Sequence, residues 1–212
     1  MKVGIIGSGI VATTLGAGFL KHGHEVMLGT REASKLAEFE KANPKGRIGT
    51  FAETAQFGEL IVLTVKGTAA LDALELAGTA NLAGKTVIDT TNPIADAPPE
   101  HAVLKYFTNQ DKSLMEMLQE KAPSAHFVKA FNSVGAPAMV NPNFAGGKPT
   151  MFIAGNNEAA KKTVSGILDQ FGWDIEDIGV AAGARAIEPL CILWCAPGFL
   201  RNDWNHAFKM LR

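Results

Sequence analysis

Residues 2–12 read KVGIIGSGIVA, and this stretch decides the fold. The apolar run Val3–Ile6 has the length of a buried β-strand, and a Gly-x-Gly-x-x-Ala pattern follows it directly. In a dinucleotide site, the first glycine permits a tight turn and the second lets a pyrophosphate approach the backbone, while the small third residue allows close packing of helix on sheet. Glycine turns also occur for purely structural reasons, but a strand before the turn and a helix after it favour binding. The predicted binding residues are Gly7, Ser8, Gly9, Ile10, Val11 and Ala12.

The residues after the second predicted strand indicate which dinucleotide binds. In an NAD site this strand ends in Asp or Glu, which accepts hydrogen bonds from the ribose hydroxyls. Here Thr30 and Arg31 follow the strand, and Lys35 comes four residues later. These residues could simply solvate the start of a helix, but cations at that position are unfavourable without an anion to meet. A forked guanidinium and an ammonium suit a 2′-phosphate, so we expect NADP(H) to bind through Thr30, Arg31 and Lys35.

Short apolar runs recur along the chain, and segments with helical patterning lie between them. Several runs, such as Leu60–Leu63, are continuously apolar, as in parallel strands that are buried on both faces. The alternation predicts the α/β class, with a Rossmann-type doubly wound, mainly parallel sheet and a C-terminal helical appendage. The predicted strands are Val3–Ile6, Glu25–Gly29, Arg47–Thr50, Glu59–Val65, Thr86–Thr90, His126–Phe131, Thr150–Ala154 and Asp174–Ile178, and the predicted helices include Ile10–His22, Ser34–Ala42 and Asn157–Phe171.

Composition excludes several classes of protein. The chain has 212 residues, 47% of them hydrophobic, and Lys+Arg 20 against Asp+Glu 21 gives a formal charge of −1. That balance offers no basic surface for nucleic acid or an anionic membrane. No signal peptide and no apolar run long enough for a membrane span are recognised, so we expect a soluble, cytoplasmic protein. Cys191 and Cys195 are too few for a disulfide framework or a zinc site, and we expect free thiols and no metal.

The C-terminal part of the chain differs from the rest. We expect residues 1–180 to form the NADP-binding domain, and residues 181–212 to form a helical segment that packs on the sheet or on a partner subunit. This segment carries Trp194, Phe199 and Trp204. Their apolar surface favours a homodimer.

Three local features add further expectations. The proline-rich stretch Asn92–Asn109 follows the fifth strand and precedes a helix that begins near Asp111. Long loops at such places are usually functional or mobile. Arg185 and Glu188, three residues apart on a predicted helix, are expected to form an ion pair. Pro197-Gly198 is expected to interrupt the helical pattern.

Several motifs together resemble a known family. The chain resembles the NADP oxidoreductases that depend on coenzyme F420, a deazaflavin, and the related cytoplasmic domain of Steap-type metalloreductases. The resemblance extends over nearly the whole chain and is carried by residues 7–12, 23–26, 29–31, 64–66, 89–93, 129–132 and 184–189.

The resemblance implies a position for the cofactor and a reaction. NADPH would lie across the carboxyl ends of the strands. Thr64, Val65 and Lys66 would border either the ribose on the adenine side or the bridge towards the nicotinamide, and Asn92, Pro93 and Asn132 would lie near the nicotinamide. Lys66 could instead be a solvated loop lysine, and Asn92 a turn former before proline. The implied activity is hydride transfer between NADPH and a small-molecule acceptor, either coenzyme F420 or a flavin as co-substrate.

Two other functions remain open at this stage. No nucleophile elbow and no HExxH motif is present, and no side chain is identified as catalytic. A reductase of a small carbonyl or imine would require a proton donor, for which His101 and Lys129 are candidates. A non-catalytic module that senses NADP would need only the binding site. Fold analogy alone does not decide among these functions.

Overall fold

A computed structural model describes all residues from Met1 to Arg212. It contains a sheet of six parallel strands in the order β3-β2-β1-β4-β5-β6, which confirms the predicted Rossmann-type fold. Two more parallel strands, β7 and β8, form a separate small sheet. The strands are β1 (Lys2–Ile6), β2 (Glu25–Gly29), β3 (Arg47–Gly49), β4 (Leu60–Leu63), β5 (Thr86–Asp89), β6 (His126–Lys129), β7 (Thr150–Ile153) and β8 (Asp174–Asp177).

Helices cover both faces of the large sheet. They are α1 (Ile10–Lys21), α2 (Ala37–Ala42), α3 (Phe51–Phe57), α4 (Ala70–Ala77), α5 (Leu114–Lys121), α6 (Glu158–Gln170), α7 (Ala184–Ile187) and α8 (Leu190–Arg201). One apolar core contains Phe19, Phe171 and Trp173, and the other contains Leu74, Leu118 and Phe127. All four residues of β4 are buried, as its continuously apolar sequence predicts.

The strand order determines where a ligand can bind. The chain runs outward from β1 to β3 on one side, and outward from β4 to β6 on the other. Ligands of such sheets bind beyond the carboxyl ends of the strands where the order reverses. Here the order reverses between β1 and β4, so Gly7 and Thr64, the residues after these two strands, lie at the predicted place.

The end of the chain differs from its predicted helical pattern. Pro197 lies inside α8 rather than interrupting it. The helix ends at Arg201, and the next residue, Asn202, caps it with a left-handed backbone of φ 55°. Residues 202–212 contain no helix. They return to the small sheet, where Thr150 N donates to Phe208 O at 2.8 Å. Thr150, the first residue of β7, thus binds a residue that lies 58 positions later in the chain. Local sequence patterning does not reveal a tertiary contact of this kind.

The prediction of an ion pair between Arg185 and Glu188 is wrong. Arg185 instead forms a forked contact with Glu116 on α5, with Nη2 2.6 Å from Oε1 and Nε 2.9 Å from Oε2. Glu188 lies just beyond α7 and is buried, with 2% of its surface exposed. Both residues contact the first turn of α5, but Arg185 pairs with the carboxylate of Glu116, whereas Glu188 accepts from the N–H groups of Leu114 and Met115.

The helix expected near Asp111 begins at Leu114, after a capping box formed by Ser113 and Glu116. Both cysteines are free, and Cys191 is buried. None of the helices has the length and apolar character that a membrane span requires.

The ion pair between Arg185 and Glu116 makes stability depend on pH. The hydrogen bonds from Arg185 lower the pKa of Glu116 from its ordinary value of 4.5 to about 2. Because the folded pKa lies below the unfolded one, this stabilisation is complete above about pH 4.5 and is lost as the pH falls towards about 2. We expect Arg185→Met to lower the free energy of unfolding at pH 7, and to make no difference near pH 2, in urea denaturation.

Lys112→Met removes another surface ion pair, with Glu120, and serves as the control. The account of the Arg185 pair is contradicted if the difference between wild type and Arg185→Met stays constant from pH 7 to pH 2.

Candidate functional site

The turn between β1 and α1 leaves a row of backbone donors free. None of the N–H groups from Ser8 to Ala12 donates a hydrogen bond within the protein; the first such bond of the helix runs from Thr13 N to Gly9 O. The first turn of α1 has no acidic residue, and Gly9 supplies no side-chain cap. These free donors at the positive end of a helix form a site for an anion.

The two glycines of this turn have different roles. Gly7 has φ 137°, and a Cβ added there would lie 2.4 Å from Thr64 Oγ1. Only glycine therefore fits between the ends of β1 and β4. At Gly9, a Cβ would have no atom within 4 Å, so the space above this residue is open to a ligand. Ala12 is fully buried beneath the turn, where its small side chain lets the helix lie close to the sheet.

A first cavity of about 490 Å³ extends from this turn towards α2 and α4. It brings together the predicted glycine turn, the predicted cations after β2 and the predicted segment after β4. Its lining residues are Gly7, Ser8, Gly9, Ile10, Val11, Thr30, Arg31, Glu32, Lys35, Phe51, Thr64, Val65, Lys66, Ala69, Asp72, Ala73 and Leu76. Ile10 and Leu76 are 69% and 53% exposed, so the cavity presents apolar surface as well as charge.

The cations at the far end of this cavity are not equally free. Lys35 Nζ lies 3.1 Å from Glu32 Oε2, and Ser34 Oγ donates to Glu32 Oε1 at 3.0 Å. These two contacts hold the pKa of Glu32 below its usual range. Arg31 has no ion-pair or hydrogen-bond partner in the protein. The carboxylate of Glu32 therefore offsets the charge of Lys35, and Arg31 supplies the net positive charge.

Thr30 fixes the backbone of the turn that carries Arg31 and Glu32. It is nearly buried, its Oγ1 donates to Glu32 O at 3.0 Å, and Glu32 N donates back to Thr30 Oγ1 at 3.1 Å. The hydroxyl thus shapes the turn that presents Arg31. Glu32 is not among the predicted site residues, although it directly follows Arg31 in the sequence.

A second cavity, of about 600 Å³, adjoins the first. Val11, Thr64, Val65 and Lys66 line both, so the two cavities form one groove across the carboxyl ends of β1, β4 and β5. The remaining lining residues are Gly67, Thr90, Thr91, Asn92, Ile94, Ala95, Asp96, Ala97 and Pro98. The stretch from Ile94 to Pro98 belongs to the proline-rich loop, which therefore forms one wall of the second cavity.

Lys66 lies where the two cavities meet. Its Nζ is 3.1 Å from Asp96 Oδ1, and the two side chains are 80% and 69% exposed. An exposed pair of this kind contributes little to stability. It connects the loop after β4 with the proline-rich loop, and both ions remain accessible from the groove. Sequence patterning had singled out Lys66 but not Asp96.

Asn92 alone of the three residues expected near the nicotinamide lines the groove. Its Nδ2 donates to Asn132 O at 2.8 Å, and Asn132 Nδ2 donates to Asn92 Oδ1 at 3.2 Å and to Ile187 O at 3.0 Å. Asn132 is 4% exposed and Pro93 is also buried, so both lie behind the cavity wall. Asn132 supports Asn92 through these hydrogen bonds, and Pro93 lines neither cavity.

The two candidate proton donors do not line either cavity. Lys129 is completely buried, and His101 is exposed on the proline-rich loop. The only ionisable side chains that line the second cavity are Lys66 and Asp96, which pair with each other. No group of three or more His, Cys, Asp and Glu side chains is placed to hold a metal ion.

Comparisons with known proteins agree with this geometry. The family described as "NADP oxidoreductase coenzyme F420-dependent" matches residues 2–93. A crystal structure from Arthrobacter sp. FB24, of a protein assigned as an F420-dependent NADP reductase, superposes with a TM-score of 0.93 at 32% identity and covers 100% of both chains.

Two other similar proteins are longer than this chain. Metalloreductase STEAP3 of Rattus norvegicus is 31% identical over 213 residues, and the match covers 94% of this chain but 39% of the metalloreductase. A reductive aminase from Aspergillus terreus in complex with NADPH and ethyl-5-oxohexanoate has a TM-score of 0.68 at 19% identity, covering 95% of this chain and 63% of that one. At 19% identity, the similarity to the reductive aminase shows a shared fold and nothing further.

The family match covers the glycine turn, the segment after β2 and the end of β5, and the full-length match at 32% identity extends over the remaining elements. The chain belongs to the family of coenzyme F420-dependent NADP oxidoreductases.

Proposed function

We propose that the protein transfers hydride between NADPH and a deazaflavin, coenzyme F420, or a flavin. The observation that carries this proposal is the continuous groove, with an anion site in its first cavity and no unpaired acid or base in its second. A cytoplasmic setting suits the two free cysteines, since thiols stay reduced there.

In this proposal the first cavity binds the adenosine half of NADPH. The free N–H groups from Ser8 to Ala12 bind the pyrophosphate, and Arg31 with Lys35 binds the 2′-phosphate. Thr30 holds the turn that presents Arg31. Lys35 would exchange its contact with Glu32 for one with the phosphate.

The second cavity then receives the nicotinamide and the acceptor. Thr64, Val65 and Lys66, which line both cavities, contact the middle of the cofactor. Asn92 lies on the nicotinamide side, held by its hydrogen bonds with Asn132, and the buried Pro93 follows it in the chain. When bound, the nicotinamide supplies the hydride. The chain orients the two rings and excludes water, and hydride transfer between stacked rings requires no acidic side chain.

The absence of an unpaired proton donor in the second cavity favours this acceptor class over a small carbonyl or imine. Reduction of a carbonyl or imine requires a proton as well as a hydride. His101 and Lys129, the two candidates, do not line the groove, and Asp96 is paired with Lys66. A module that only senses NADP would keep the first cavity and would turn over no acceptor.

The charges after β2 predict the choice between NADPH and NADH. We expect Arg31→Ala to weaken NADPH binding by about 1.5–3 kcal/mol, because a charge-assisted hydrogen bond is lost, and to leave NADH binding nearly unchanged. Glu32→Gln should act in the opposite direction and tighten NADPH binding, since Lys35 no longer has a competing carboxylate. Fluorescence titration with each dinucleotide measures both effects.

Glu38→Gln removes an exposed carboxylate of α2 that does not line the groove, and it should change neither affinity. Equal losses of NADPH and NADH binding in Arg31→Ala would contradict the 2′-phosphate assignment.

The acceptor is tested by anaerobic mixing of the protein with NADPH and oxidised coenzyme F420. We expect the deazaflavin absorbance to bleach, and to bleach more slowly with NADH. Without bleaching, the same experiment with FMN and FAD, and then with small imines and ketones, identifies the acceptor. NADPH that binds but is consumed with none of these acceptors would favour the sensing module.

We also propose that the protein forms a homodimer through α8. Leu193, Phe199 and Leu200 are 59%, 43% and 68% exposed, and Trp204 is 42% exposed beside them. From Ala186 to Leu200 the only ionisable side chain apart from those of the cysteines is that of Glu188, which is buried. Arg201 and Asp203, which pair with each other, follow at the end of the helix. An exposed apolar surface of this kind is typical of a subunit interface.

Light scattering should give twice the chain mass for the wild type. Leu193→Asp combined with Leu200→Asp should give the single-chain mass, because buried charge opposes association. Val103→Asp, at a residue 49% exposed on the proline-rich loop, is the control and should stay dimeric. A wild-type protein with the mass of one chain would refute the proposed dimer.

A further inference from the structure

A buried charge cluster lies behind the second cavity. Lys129, the last residue of β6, is fully buried, and its Nζ lies 2.6 Å from Asp89 Oδ2, 2.9 Å from Glu188 Oε1 and 2.8 Å from Thr91 O. An ammonium has three N–H donors, and three acceptors surround this one. Burial alone would lower the pKa of Lys129, but the charges of Asp89 and Glu188 raise it above its usual value. Lys129 thus stays protonated and does not supply a proton.

The two carboxylates of the cluster have further partners. Asp89 Oδ1 accepts from Thr91 N at 2.9 Å and from Thr91 Oγ1 at 2.7 Å. Glu188 Oε2 accepts from Leu114 N at 3.0 Å, and its Oε1 accepts from Met115 N at 3.0 Å. The cluster therefore joins the ends of β5 and β6, the start of α5 and the turn before α8. Asp89 Oδ2 contacts only the Lys129 ammonium and accepts no other hydrogen bond. Buried ionic networks of this kind hold such junctions in one arrangement.

The point where this cluster meets the groove is Thr91. Lys129 holds its carbonyl oxygen, and Asp89 holds its N–H and hydroxyl groups, so all three backbone and side-chain polar groups of this residue are fixed from behind. Thr91 and the next residue, Asn92, line the second cavity. Asn92 is fixed in turn by its contacts with Asn132.

We propose that Lys129 is a positioning residue for the nicotinamide half of the bound cofactor. It does not touch the groove; it acts through Thr91, whose position sets the wall against which the ring lies. This inference rests on the proposed function, which puts the nicotinamide in the second cavity.

The test compares a whole cofactor with its adenosine half. NADPH would occupy both cavities, whereas 2′,5′-ADP would occupy only the first. The variant carries Lys129→Met together with Glu188→Gln. One lysine against two carboxylates leaves one net negative charge in the wild-type cluster, and Asp89 alone leaves the same charge in the variant. We expect the Kd of NADPH to rise roughly tenfold or more, with the Kd of 2′,5′-ADP within about twofold of wild type.

A second, milder variant covers the case in which the first does not fold. Asp89→Asn keeps the shape of the side chain but removes the charge that faces Lys129. It should likewise raise the Kd of NADPH and leave the Kd of 2′,5′-ADP nearly unchanged. Lys161→Met is the matched control. Lys161 is also nearly buried, with Nζ 2.8 Å from Glu158 and 2.7 Å from Asp177, but it belongs to α6 and lines neither cavity. Its loss should change neither Kd.

Each possible result has a distinct meaning. Equal weakening of both ligands in the Lys129 and Asp89 variants means that the cluster serves the fold as a whole, and overturns the positioning role. Unchanged NADPH binding overturns it as well. A wild-type protein that binds NADPH no more tightly than 2′,5′-ADP would instead overturn the proposed place of the nicotinamide, and the inference with it.

Discussion

The close approach of β1 to β4 is the constraint on which the site depends. Thr64 Oγ1 donates to Ile6 O at 2.9 Å, and this contact leaves no room for a Cβ at Gly7. The chain must therefore turn at a glycine, and α1 begins at once with its N–H groups pointing into open space. The order of the parallel strands also reverses at this place. The anion site and the groove are consequences of the same local crowding.

Two kinds of electrostatic arrangement lie at the two ends of this groove. At the solvent-exposed end, Arg31 is unpaired and Lys35 is offset by Glu32, an arrangement that a phosphate can enter by exchanging partners. Behind the other end, Lys129 is enclosed with two carboxylates in a place without solvent. Removing one partner of such a buried pair typically costs about 3–5 kcal/mol, whereas an exposed pair contributes about 0–1 kcal/mol. The exposed end can therefore adapt to a ligand, while the buried end holds one geometry.

Local sequence signals predicted the main sheet, the glycine turn and most of the first cavity. These features depend on short motifs, such as Gly7–Ala12 and the buried run of β4, whose physical requirements are satisfied by neighbours in the chain. The second cavity was predicted less completely. Asp96 and Ile94 reach it through the fold of the proline-rich loop, and Asn132 turned out to lie behind its wall. Pairings over long sequence separations were missed for the same reason, as with Arg185 and Glu116, or Thr150 and Phe208.

The most direct test of the account is a crystal structure of the protein with NADP⁺ bound. We expect a pyrophosphate within hydrogen-bond distance of the N–H groups from Ser8 to Ala12, a 2′-phosphate on Arg31 and a nicotinamide ring beside Thr91 and Asn92. A pyrophosphate away from the start of α1, or a nicotinamide outside the second cavity, would contradict it.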